Sequence, residues 1–283
     1  MKVKTELRSV VNTGLLRTDR FTSLRVPHAF TTRVGGVSTG PFSSLNFGNP
    51  SELPPGVDRD PKSSIEANFQ RVLEGIGCSG RRIVQVHQVH GAEVLVVSRS
   101  RPHAGSDRID WGAVRADAIV TDDPACAVAV RVADCCPVLL ASHDGRVVAA
   151  VHAGWRGVVA GVAAAAVEEM QTLGASQICA AIGPCISAEH FEVGPEVVRE
   201  FVSVFGDTSG FVKDHGEPSA AAAGKSLADI KEALRRQLVG CGVRDAEVFP
   251  HCTFRDIDLF FSHRRDRGVT GRMVGIIGPD AAR

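Results

Sequence analysis

Cys126-Ala-Val-Ala-Val-Arg-Val132, Val138-Leu-Leu-Ala-Ser142 and Val147-Val-Ala-Ala-Val-His152 follow one another with only short breaks. Runs of this length, rich in Val, Leu and Ala and free of internal Gly or Pro, read as buried strands. Asp117 to Thr121, immediately upstream, has the same character. Gly157 to Leu173 then changes to a small-residue helical pattern closed by Gly174, and Ile178 to Gly183 returns to strand. Strand, helix and strand in this order belong to an α/β fold, and these segments form the centre of its sheet.

Working outward, Ile83 to Val89 and Ala92 to Val97 read as further strands. Before them, Ser64 is placed to cap a helix whose apolar residues Ile65, Phe69, Val72, Leu73 and Ile76 recur at helical spacing until Gly77. Downstream, helices are expected over Pro195 to Val204 and Ser226 to Leu238, the latter with Leu227, Ile230, Leu234 and Leu238 on one face. Val248 to His251, Leu259 to Ser262 and Met273 to Ile277 end the chain in strands. The expectation is a mixed sheet, or two stacked sheets, with helices outside.

The chain has 283 residues, 44% of them apolar, enough to bury a full core. Segments 52–60, 106–111 and 216–224 are polar or Gly/Pro-rich but read as surface loops, so residues 1–283 are taken as a single domain. Lys plus Arg and Asp plus Glu are both 32, which leaves no net field to attract nucleic acid or an anionic membrane and favours a small-molecule partner. The longest apolar runs are too short or too rich in Ala and Gly to span a bilayer, and residues 1–13 lack an apolar signal core, so a cytoplasmic protein is expected. The eight cysteines, scattered through a long chain, then read as free thiols or metal ligands.

Three stretches each put a metal-capable side chain at the end of an expected strand: Gln88-Val-His90-Gly91, Ala133-Asp-Cys135-Cys-Pro137 and Val151-His152-Ala-Gly-Trp-Arg-Gly157. Two imidazoles and a thiolate suit zinc and leave a fourth position for water or substrate. In extended backbone Cys135 and Cys136 point to opposite faces, so only one of them can be a ligand, and the same alternation separates His87 from His90. Isolated Cys and His residues in apolar runs are also common core residues, and spacing alone leaves both readings open.

Several cations stand beside glycine turns. Arg156 lies in the strand-to-helix turn Gly154 to Gly157, where a phosphate or carboxylate could be held. Arg33 and Asn46 stand in Thr32 to Ser38 and Ser44 to Gly48, offering a guanidinium fork and an amide for phosphate, ribose or a base edge. Arg264 falls in Phe261 to Asp266, ahead of Thr270-Gly-Arg272. Each of these also reads as an ordinary surface turn.

Taken in order, these stretches resemble one family, the YfiH-like proteins, also called laccase-domain or polyphenol oxidoreductase proteins and peptidoglycan editing factors. The likeness runs from Thr32-Arg33-x-Gly-Gly-Val-Ser38 and Ser44-Leu-Asn46, through the His90, Cys135 and His152 stretches, to Gly183-Pro-Cys-Ile186 and Phe261-Ser-x-Arg-Arg265. It implies an α/β/β/α sandwich and zinc held by His90, Cys135 and His152. It further implies phosphorolysis of adenosine, inosine and S-methyl-5'-thioadenosine, and deamination of adenosine to inosine. Here His263 stands where the family pattern has Tyr, and the chain contains no tyrosine.

Asp134 is the expected proton carrier beside the metal, with Arg33, Asn46, Arg156 and Arg264 as expected substrate contacts. The His-x-Glu and Pro-Cys-x-x-Cys signature of the common zinc deaminases is missing. The ten histidines contain no His-x-His pair, which argues against a copper oxidase. A rival reading makes Cys135 the nucleophile and His152 the base of a metal-free hydrolase editing a peptidoglycan precursor. The sequence leaves the oligomeric state open.

Overall fold

The computed structural model describes residues 14–99 and 113–282. The expected runs form two stacked sheets. The first has five strands in the order β1-β2-β14-β6-β3, where β1 is Leu15–Leu16, β2 His28–Thr31, β3 Arg82–Val84, β6 Cys126–Val132 and β14 Met273–Ile277. The second has six in the order β13-β9-β7-β8-β5-β4: β4 Val94–Val97, β5 Ala118–Thr121, β7 Cys136–Ser142, β8 Val148–Ala153, β9 Ile178–Ile182 and β13 Ala246–Val248. Both are mixed: β3 runs parallel to β6 and β4 to β5, while β6–β14 and β7–β8 are antiparallel.

Alternation along the strands sorts the side chains into layers. Val128, Val130 and Val132 of β6 meet Leu139, Val148 and Ala150 of the second sheet in a buried layer between the sheets. The opposite face of β6, with Ala127 and Ala129, packs on Phe69, Val72 and Leu73 of the helix Lys62–Gly75. In the second sheet Val138, Leu140, Ala149 and Val151 pack outward on Ala163, Ala166, Val167 and Leu234. With α1 as Asp19–Ser23, α2 as Lys62–Gly75, α3 as Trp155–Val159, α4 as Val162–Thr172, α5 as Pro195–Phe205, α6 as Pro218–Ala222 and α7 as Ile230–Gly240, the layers run helix, sheet, sheet, helix. This is the α/β/β/α sandwich.

Several boundaries differ from the sequence reading. The helix expected over 157–173 is two, because Gly161 takes φ +85° and ends α3 before α4 begins. The helix expected from Ser226 starts only at Ile230: Ser226–Ala228 is β12, the middle strand of a small sheet with β10 (Glu192–Val193) and β11 (Val212–Asp214). Asp229 makes that break by capping α7, its carboxylate accepting from the N–H groups of Lys231 and Glu232. Ser64 lies inside α2, which begins after Pro61 rather than at a serine cap. Residues 259–262 form no strand, and β3 stops at Val84, leaving 85–89 irregular apart from a bridge of His87 to Arg115. Segment 216–224 holds α6, segment 52–60 ends on the buried Asp60, and segment 106–111 lies outside the described residues.

Candidate metal centre

A turn after residue 88, the loop entering β7 and the end of β8 bring His90, Cys135 and His152 together, with their candidate ligand atoms all within 4.8 Å of one another. Among the described residues this is the one cluster of its kind. The His90 and His152 rings meet edge to face at 4.8 Å, and Cys135 Sγ is 3.8 Å from His90 Nε2. Tetrahedral zinc with ordinary bond lengths separates a sulfur and a nitrogen ligand by roughly 3.5 Å, so Cys135 and His90 already stand within tenths of an ångström of a shared-ion geometry. The donor set is one that fits zinc.

Each of the three candidate ligands is held by a local device. Asp117, at the foot of β5 and fully buried, uses both carboxylate oxygens to cap the turn that carries His90. Oδ2 accepts from Val89 N (3.1 Å) and Gly91 N (2.7 Å), and Oδ1 accepts from His90 N (2.9 Å). The turn puts His90 at φ +61°, a left-handed conformation that such capping stabilises. The side-chain amide of Gln88 pairs with the backbone of Arg131 as a strand would, donating to its carbonyl at 2.8 Å and accepting from its N–H at 2.9 Å.

His152 is the penultimate residue of β8 and is 3% exposed. Its Nδ1 lies 2.8 Å from Asp117 Oδ1, which fixes Nδ1 as the donor and turns Nε2 toward the cluster. Cys135 sits one residue ahead of β7, after Asp134 at φ +80°. Asp134 Oδ1 accepts from Thr253 Oγ1 (2.6 Å) and Oδ2 from Arg264 N (2.6 Å), so its carboxylate stitches two distant segments to the cysteine loop. Cys136 packs among the side chains under the outer helices, whereas Cys135 borders the layer between the sheets, so the alternation expected of the two thiols is present.

Burial works against charge on these groups, and the neighbours reverse it. It would raise the Cys135 thiol, but His152 and His90, by charge and hydrogen bonding, bring it down to about 6. Burial would lower His152, but Cys135 and Asp117 bring it up to about 9. Burial would likewise raise Asp117, and the bonds from His152 and the Gly91 and Val89 amides hold it below the usual carboxylate range. Gly154 completes the packing: a Cβ there would stand 2.9 Å from His90 Cδ2 and 3.1 Å from Cys135 Sγ. Asp117 and Thr253 have no site role in the sequence reading, and an aspartate at the head of an apolar strand was the available signal for the first; Gly154 is read there only as part of the turn before Arg156.

The residues expected to touch substrate fare differently. Asn46 does not present its amide to solvent: it is fully buried, donating to Asp60 Oδ2 (2.7 Å) and accepting from Gly48 N (3.2 Å) and Arg272 N (2.8 Å). Asp60 is the cause, because its buried carboxylate draws both Ser38 and Asn46 inward. Arg33 is half-buried, with its guanidinium 4.6 Å from the Phe261 ring centroid and Nε donating to Ser43 O (2.9 Å). Arg264 reaches the cysteine loop through its backbone N–H, while its guanidinium donates to Glu192 O. Arg156 is exposed and stacks on Trp155 at 4.4 Å. His263 is exposed beside Arg264; partial burial of its ring and the nearby Arg272 lower its pKa.

The model of the family described as multi-copper polyphenol oxidoreductase laccase matches residues 27–280. The chain is 38% identical over 261 residues to a protein of Deinococcus radiodurans named purine nucleoside phosphorylase, covering 92% of this chain and 91% of that one. It is 37% identical over 257 residues to a purine nucleoside phosphorylase of Mycobacterium tuberculosis, covering 90% and 92%. Among solved structures it resembles YlmD of Geobacillus stearothermophilus (TM-score 0.78, 34% identity, 94% of this chain and 96% of that one). It also resembles a YfiH protein of Bacillus licheniformis (TM-score 0.81, 29% identity, 95% and 98%). Among the described residues no helix is long and apolar enough to cross a membrane. A family match across almost the whole chain, over a sandwich of the same shape, means that this chain belongs to the multi-copper polyphenol oxidoreductase laccase family, in which the YfiH proteins fall.

Proposed function

We propose that this chain is a zinc-dependent purine nucleoside enzyme, cleaving adenosine, inosine and S-methyl-5'-thioadenosine with phosphate and converting adenosine to inosine. The observation that carries the reading is the His90–Cys135–His152 cluster with Asp117 behind it, in a chain whose relatives are named purine nucleoside phosphorylases. When bound, zinc supplies Lewis acidity at an open fourth position.

The chain's own residues supply the rest. Asp117 keeps the proton of His152 on Nδ1, so that Nε2 is the ligand atom, and it fixes the turn of His90. Asp134 and Thr253, hydrogen-bonded beside Cys135, form the proton-handling pair, with the hydroxyl proton pointing at the carboxylate. His90 and Arg156 are exposed and mark the side from which a nucleoside enters, with Arg33 and Arg264 as further polar contacts. His263 replaces a phenol with an imidazole, which can accept a proton as well as donate one.

The test is product analysis of the metal-loaded protein with each nucleoside. Free base and sugar 1-phosphate that form only when phosphate is present support phosphorolysis, and inosine formed from adenosine in either case supports deamination. If neither appears, the nucleoside reading fails.

A second reading has its own supporting observation. Cys135, His152 and Asp117 are linked in the order nucleophile, base and orienting carboxylate, and the Cys135 thiol is brought down to about 6 beside an imidazole brought up to about 9. Without metal, that set could act as a cysteine hydrolase on a peptidoglycan precursor. Rapid alkylation of Cys135 in the protein as purified, with no metal present, would favour it.

A further inference from the structure

Arg131 and Arg272 are absent from the substrate contacts expected above, yet the sheet sets them side by side. In the antiparallel pair β6–β14, Val132 stands opposite Met273 and Arg131 opposite Val274. Side chains alternate along a strand, so Arg272, just ahead of β14 and two residues before Val274, lies on the same face as Arg131 and diagonal to it.

The segment Asn46 to Gly48 lies across both. Asn46 Oδ1 accepts from Arg272 N and Gly48 N, and Phe47 N donates to Arg272 O at 3.0 Å. Gly48 has no side chain where Arg131 passes: a Cβ there would lie 3.2 Å from both Cδ and Nη1 of that arginine.

Both arginines are half-buried, and among the described residues neither forms an ion pair. Arg272 Nη1 donates to the carbonyls of Thr270 (3.1 Å) and Gly271 (3.0 Å), which fixes the plane of its guanidinium. The nearest protein acceptor of Arg131 is Val86 O, at 3.5 Å from Nη2, a marginal contact. Two adjacent guanidinium groups, partly desolvated and without a carboxylate, are costly unless an anion joins them. Fixed guanidinium planes also match the oxygens of a tetrahedral anion in fork geometry.

Arg131 shares its backbone pairing with Gln88, two residues from His90, which puts the pair at the metal-centre end of the sheet. We infer that Arg131 and Arg272 form the binding subsite for inorganic phosphate, the co-substrate, beside the His90–Cys135–His152 centre. Burial and the neighbouring Arg131 both lower the pKa of Arg272, while Cys135 and Asp134 partly offset them, as expected of a cation close to the centre that lacks its counter-ion. The role as co-substrate site rests on the phosphorolysis reading, whereas the anion binding itself does not.

The experiment titrates inorganic phosphate into the metal-loaded protein by calorimetry and measures nucleoside cleavage against phosphate concentration in the same preparations. Arg131→Gln and Arg272→Gln should each raise the phosphate Kd and the phosphate KM by about tenfold or more, with the nucleoside KM changed less than about threefold. Arg272→Lys keeps the charge but loses the fork and should show a smaller rise. Should either Gln variant fail to fold, that Lys variant decides, since an unaltered phosphate Kd would contradict a fork-shaped site. Arg146→Gln, at an exposed ion pair with Asp144, should leave all three constants unchanged. Phosphate affinity unchanged in folded Arg272→Gln, or no phosphate binding by the unaltered protein, would overturn the assignment. Arginine-dependent phosphate binding without nucleoside cleavage would uphold the subsite and reject the phosphorolysis reading instead.

Discussion

Asp117 Oδ1 lies 2.8 Å from His152 Nδ1 and also accepts the backbone N–H of His90, so one oxygen orients two of the three residues of the metal cluster. Carboxylates placed behind a metal-binding histidine commonly contribute about 10- to 100-fold to metal affinity. Asp117→Asn should therefore weaken zinc binding by about that factor, and Asp117→Ala by more because the His90 turn also loses its cap. Competition against a chromophoric chelator measures it, and a variant with unaltered affinity would remove Asp117 from the account.

Gly154 separates packing from ligation. A methyl group there would press on His90 Cδ2 at 2.9 Å and Cys135 Sγ at 3.1 Å, so its nearest contacts are the cluster residues themselves. Gly154→Ala should lower metal affinity and turnover by about tenfold or more, with a melting temperature in the presence of chelator close to that of the unaltered protein. A large loss of stability in chelator would show that the strain spreads beyond the cluster.

The two adjacent thiols should part company. Cys135→Ser should abolish metal binding, because a neutral hydroxyl replaces the thiolate. Cys136→Ser should keep the metal and lose about 1–3 kcal/mol of stability, since a hydroxyl replaces a fully buried thiol. Metal content and chemical denaturation of both variants check this, and equal metal loss in the two would undo the choice of ligand.

His28 ties stability to pH. Its Nε2 accepts from Thr18 N at 2.9 Å and its Nδ1 lies 2.8 Å from Val26 O, an arrangement that only the neutral ring satisfies. Burial lowers its pKa to about 4 from the ordinary histidine value of 6.5. Between these values the unfolded chain binds the extra proton, so stability is complete above the unfolded pKa and is lost as pH falls toward the folded one. By about pH 4.5 the loss amounts to about 2–3 kcal/mol. Urea unfolding at neutral pH and at about pH 4.5 should show that drop, reduced by a similar amount in His28→Phe. An equal drop in the variant would place the pH sensitivity elsewhere.

The sheets were legible because β6, β7, β8 and β9 are apolar runs that need no partner to be recognised. The breaks were less so. Gly161 ends α3 only because the chain takes a left-handed turn there, and Ser226 to Ala228 pairs with Glu192 and Val193, contacts that helical spacing does not reveal. At the site, the ligand residues stand in recognisable stretches, whereas Asp117 acts through a hydrogen bond spanning 35 residues and Thr253 through one spanning 119. The burial of Asn46 was not legible, because a short polar side chain close to glycines reads as part of a surface turn until the buried Asp60 that binds it is known.

His90, Cys135 and His152 should bind one metal ion together. X-ray absorption at the metal edge of the protein as purified tests it most directly. The spectrum should show about one zinc per chain with a single sulfur at about 2.3 Å and nitrogen or oxygen neighbours at about 2.0–2.1 Å, the sulfur vanishing in Cys135→Ser. A first shell without sulfur, or a sulfur signal that survives in Cys135→Ser, would contradict it.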